Sequence, residues 1–140
     1  MSNEETPELY YHGGYKYQTT RPFVIKTTIK PARNIETDWI LLRTDGMLFF
    51  TKGYAWDGPS GPTIDTDSWM IPSLVHDGLC QLVSMGLLAK SWLTDIHLLM
   101  YRLCIRYKML RARAWYSWKA VVAFYKPGMS KKKELCVGGE

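Results

Sequence analysis

The hydrophobic positions along this chain change period near its middle. From Tyr15 to Tyr54 the apolar residues come in short runs of a strand-like kind. Phe23-Val-Ile-Lys-Thr-Thr-Ile29 is rich in β-branched residues, with Pro22 before it and Pro31 after it. Trp39-Ile-Leu-Leu-Arg43 and Met47-Leu-Phe-Phe-Thr51 flank Asp45-Gly46, a turn pair that supplies positive φ to a tight hairpin. That register puts Leu42 and Leu48 near the turn. Tyr54 to Asp67 reads as a loop, since two Pro and two Gly fall within Gly58–Pro62 and each Pro fixes its φ.

Beyond the loop the period becomes helical. Pro72 suits a first turn, and Val75, Leu79, Leu82 and Val83 form a stripe that Gly86 can end. Ser91 can cap a second helix carrying Trp92, Ile96, Leu99, Leu103 and Tyr107 on one face. A third helix is expected from Arg111 to Tyr125, with Trp115, Trp118, Val122 and Tyr125 as its ridge, stopped by Pro127-Gly128. The class is α+β: a small antiparallel sheet in the N-terminal half, packed against three helices in the C-terminal half. Residues 1–14 are expected to be a flexible N-terminus, 15–126 one domain, and 127–140 a basic tail.

Composition narrows the class. The chain has 140 residues, 46% hydrophobic and 22% charged, which excludes a disordered or collagen-like chain. The longest uncharged run of the apolar half, Gly78 to Ala89, falls short of the roughly 20 residues a membrane span needs. The acidic start Met-Ser-Asn-Glu-Glu-Thr is unlike a secretory signal. Three widely spaced cysteines, Cys80, Cys104 and Cys136, argue against a disulfide framework and for a reducing compartment.

Charge is divided unevenly. Up to position 67 there are seven basic and nine acidic residues; after it there are eleven and four. A basic half draws an acidic partner, or is a solvated helical face with a basic tail. Arg102, Arg106, Lys108, Arg111 and Arg113, interleaved with Tyr107, Trp115 and Tyr116, are the nucleic-acid candidate. No recognised nucleic-acid motif accompanies them, so an ordinary solvated face is the stronger reading.

Four polar residues sit among apolar neighbours that predict burial: Asp57, His76, Asp77 and Asp95. Buried carboxylates are costly unless paired, hydrogen-bonded or bound to a cation. Three Asp and one His make a divalent-metal set, in which the ion would activate a water for hydrolysis. The same residues also read as a latch: an Asx-turn at Asp57, an ion pair at Asp95, and His76 holding the loop. Trp56, Ser60, Arg102 and Arg106 are the candidate binding residues beside this set. His97, two residues from Asp95, points away from it around the helix and is left out. Cys80, one turn after His76, reads as a small core residue. P-loop, Gly-x-Gly-x-x-Gly, His-Glu-x-x-His and Cys-x-x-Cys motifs are absent from the sequence.

Gly53-Tyr-Ala-Trp-Asp-Gly-Pro-Ser60, then Pro72-Ser-Leu-Val-His-Asp-Gly-Leu79, then Asp95 in a helix resemble a family of small phage and prophage proteins of unknown function. Asp57, Gly58, Ser60, His76, Asp77 and Asp95 match its Asp-Gly-x-Ser loop, its His-Asp-x-Leu helix and its later Asp. Cys80-Gln81 and His97-Leu98 depart from the family's aromatic positions. The resemblance implies a phage origin and a host-cytoplasmic or virion location, and supplies no reaction. Two functions follow as expectations. One is a phage accessory protein with a divalent-metal, hydrolase-like site acting on an anionic small substrate. The other is a non-catalytic virion component or binder of a phage or host protein, its aromatic residues making the contacts. Nucleic acid is a further, weaker candidate partner.

Overall fold

The computed structural model describes residue 9, residues 11–12, 17–56 and 67–124. It is an α+β structure, with strands in the N-terminal half and helices in the C-terminal half. The strands are β1 (Tyr11–His12), β2 (Tyr17–Thr19), β3 (Phe23–Lys26), β4 (Ile35–Glu36), β5 (Ile40–Leu42), β6 (Met47–Phe50) and β7 (Ala55–Trp56). The helices are α1 (Asp67–Ser84), α2 (Leu93–Arg106) and α3 (Arg111–Phe124), with one 3-10 turn, Lys90–Trp92, leading into α2. Two antiparallel sheets form rather than the single one expected: β1-β2-β7 and β3-β6-β5-β4. β1 lies within the stretch expected to be flexible, and pairs Tyr11 with Thr19.

The larger sheet follows the alternation of its side chains. Phe23, Ile25, Ile40, Leu42, Leu48 and Phe50 point inward and are buried. Its hairpin pairs Leu42 with Leu48 as the sequence register requires. The turn is wider than a two-residue one: Gly46 donates to the Arg43 carbonyl and the Arg43 amide bonds the Met47 carbonyl. Gly46 alone carries positive φ, 92°, and Asp45 accepts from the Met47 amide and from Arg43 at 2.7 Å.

The expected loop at Tyr54 begins with a strand. Thr19, fully buried, explains it: its amide and hydroxyl bond the Tyr54 carbonyl and amide, and its hydroxyl also bonds the Thr51 carbonyl. Side-chain hooks then tie β7 to α1. Tyr54 donates its hydroxyl to Gln81 at 2.8 Å, and Trp56 donates its indole N–H to Ser73 at 3.0 Å. Buried aromatic polar groups need such partners.

α1 starts at Asp67, so Pro72 lies inside it rather than in its first turn. Trp69, Met70 and Ile71 are buried on that early part, and their burial outweighs the lost hydrogen bond. Gly86, with φ 78°, closes the helix as expected: its amide bonds Val83, and that of Leu87 bonds Leu82. Ser91 does not cap α2 with its side chain; it sits within the 3-10 turn. On α3, Trp115 and Val122 of the expected ridge are half exposed, whereas Ala114 is fully buried. The small alanine is what lets α3 approach α2, where Met100, Cys104 and Met109 form a second apolar cluster with Trp69. Tyr125 and the tail 127–140 lie outside the described residues. Among those described, no helix is long and apolar enough to cross a membrane.

Candidate functional site

His76 and Cys80 are one turn apart on α1 and share a face. α2 returns alongside α1 and brings His97 to that face. His76 Nε2 and His97 Nδ1 stand 3.0 Å apart, with ring centroids 5.1 Å apart. Cys80 Sγ lies 3.6 Å from His76 Nε2, and Asp77 Oδ1 lies 3.9 Å from His76 Nδ1. Both imidazoles are almost completely buried, at 7% and 6% exposure.

Two imidazoles this close cannot both carry charge. Burial and the charge of His76 push His97 down to about 4. At His76 burial opposes the proton, yet the contacts with the Cys80 sulfur and the Asp77 carboxylate outweigh it and raise its pKa to about 9. These directions assign the hydrogen bond: His76 Nε2–H donates and His97 Nδ1 accepts.

The expected set is therefore rearranged. His76 and Asp77 come together as expected. Asp95 is exposed on the first turn of α2 rather than buried, where a carboxylate suits the positive end of the helix. His97 takes the place expected for Asp95, because residues two apart face opposite sides of a helix. Asp57 and Ser60 lie outside the described residues. Trp56 is a core residue, 1% exposed, bonded to Ser73. Arg102 and Arg106 project roughly half a turn around α2 from His97, so they belong to another surface. Cys80 is buried as expected and also edges the histidine pair; Cys104 is inert, its thiol pushed up to about 12 by burial, with Arg113 opposing.

The sequence carried a signal for His97 that single-helix reasoning discarded. A histidine flanked by Ile96 and Leu99 on the apolar side of α2 needs a buried polar partner, and His76 is the matching one on α1. Among the described residues no group of three His, Cys, Asp or Glu side chains takes a metal-holding arrangement. No protein-family model, curated protein or solved structure matches this chain.

Proposed function

We propose that this is a small phage-encoded accessory protein whose polar site binds a divalent cation and is hydrolase-like in character. The observation that carries this reading is the 3.0 Å approach of His76 Nε2 to His97 Nδ1 from two different helices. Two nitrogens bound to one zinc ion in tetrahedral geometry sit about 3.3 Å apart, given bonds of about 2.0 Å. The pair is within a few tenths of an ångström of that spacing, so an ion that displaced the proton shared between the two rings would find both nitrogens in place. Asp77 lies on the Nδ1 side of the His76 ring, where a carboxylate orients a ligating imidazole, and Asp57 is the loop donor that the motif resemblance adds. Imidazole with carboxylate suits zinc and related transition ions. Such an ion would lower the pKa of a bound water and make it a nucleophile at neutral pH.

The test is zinc titration by calorimetry of the parent, His97→Ala and Asp95→Ala proteins. Stoichiometric binding that is lost in His97→Ala and kept in Asp95→Ala supports the site. Absence of binding by the parent overturns it.

A second reading rests on a different observation. Leu110, Trp115, Tyr116 and Val122 expose large apolar surface on and before α3, with Tyr116 72% exposed. Here the histidine pair is a latch between α1 and α2, and the protein is a virion component or a binder of a phage or host protein. A stoichiometric partner whose capture fails with Trp115→Ala and Tyr116→Ala supports this reading.

A further inference from the structure

A cleft of about 330 Å³ lies between α2 and the segment that begins with β3. Lys26, Lys30, Arg102 and Arg106 surround it, and Leu99 and Leu103 form its apolar wall. Of the eight residues lining it, four are basic and none is acidic. All four cationic side chains are on exposed residues. Arg102 and Arg106 are one helical turn apart, a like-charge spacing that destabilises a helix. Leu99 and Leu103 are buried, so the charges face a low-dielectric surface that concentrates their field. The Asp45 carboxylate, on the turn that pairs with Thr27, is engaged by Arg43. Asp95 lies two turns nearer the start of α2.

We propose that this cleft is a binding site for a compact phosphate-bearing anion of two or more negative charges. Four basic side chains from two parts of the chain line one hollow, so a polyanion seated there would meet positive charge from both walls. Arginine recognises phosphate with paired N–H donors, and lysine adds point charge. The volume sits at the lower end of small-ligand sites, about 300–1,000 Å³. It suits a diphosphate or a small phosphorylated metabolite. The site is on the opposite side of α2 from His97 and does not depend on the metal reading.

The experiment is calorimetric titration of the full chain with inorganic pyrophosphate at low ionic strength. The parent is compared with Lys30→Gln, Arg102→Gln and, as a control away from the cleft, Lys119→Gln. Saturable binding, weakened at least about tenfold by each cleft substitution and unchanged by the control, is expected. These residues are exposed, and a thermal melt of each variant confirms folding. Failure of pyrophosphate to bind the parent overturns the proposal, as does equal affinity in cleft and control variants. A single-stranded oligonucleotide arm separates the phosphate sources. If it binds and pyrophosphate does not displace it, phosphate recognition lies elsewhere and the assignment is lost.

Discussion

Gly78 on α1 rests directly against the ring of Phe50 on β6. A Cβ at Gly78 would stand 2.6 Å from two ring carbons of Phe50 and 3.6 Å from Ile40. The glycine is thus the point at which the helix backbone touches the sheet. Gly78→Ala gains helix propensity of about 1 kcal/mol, but the ring is enclosed and cannot step aside without disturbing the core. Overpacking of this kind costs about 1–3 kcal/mol, so the net change is destabilising. Chemical denaturation would show a lower midpoint; an unchanged or raised midpoint would mean that the contact yields freely.

Lys108 has φ 74° where α2 ends. Its amide bonds Ile105 and the following amide, Met109, bonds Cys104, the same closure that Gly86 gives α1. A side chain in that conformation is strained, whereas glycine is not. Lys108→Gly should raise stability by about 1 kcal/mol, read as a higher melting temperature. A fall would show that the lysine side chain contributes more than its backbone strain costs.

The hydroxyl of Tyr54 is bonded to the buried amide of Gln81. Tyr54→Phe leaves that amide oxygen without its donor and should cost about 1–3 kcal/mol. The double variant Tyr54→Phe with Gln81→Leu removes both partners and should recover part of the loss. If the double variant is worse than the sum of the singles, the hook is not the reason for the cost.

Acid and alkali act on the two histidines with opposite sign. An unfolded histidine binds a proton near 6.5, and His97 in the fold only near 4. Between these values the unfolded state holds more protons, so stability falls as pH falls from 6.5 towards 4. His76 keeps its proton up to about 9. Its contribution is complete below 6.5 and is lost as pH rises through 9. The melting temperature should therefore peak near pH 6.5, and His97→Asn should flatten the acid limb. An acid limb of the same slope in the variant would assign it to other groups.

Ala114 and Trp115 are neighbours on α3 with opposite fates, 0% and 51% exposed. Trp115 lies under the Lys119 ammonium at 5.3 Å, a contact worth about 0.5–1 kcal/mol at an exposed site. Trp115→Ala should therefore cost about 1 kcal/mol or less. Ala114→Leu should cost about 1–3 kcal/mol, because it forces α3 off α2. The reverse order in urea melts would restore the tryptophan-led ridge.

Local chemistry sufficed for the hairpin at Asp45-Gly46, the end of α1 at Gly86 and the α+β class. Each depends on neighbours within a few residues: a turn glycine, a closing glycine, or a change of hydrophobic period. At the start of α1 the strong local signal of Pro72 is overruled by the burial of Trp69, Met70 and Ile71. The α3 register failed for a related reason. Size suggested that tryptophans line the interface, yet close helix approach selects the smallest residue, Ala114.

The candidate site divides along the same line. Residue types alone singled out His76 and Asp77, since adjacent polar groups amid Leu74, Val75 and Leu79 need an explanation within one helix. Which residue of α2 would meet them was decided by how α1 and α2 rotate about their own axes when packed. That rotation turned His97 inward and Asp95 to solvent. The basic cleft has the same origin. Lys26 and Lys30 belong to the acidic half of the chain and Arg102 and Arg106 to the basic half. Their convergence is a property of packing, because fields add in space and not along the sequence.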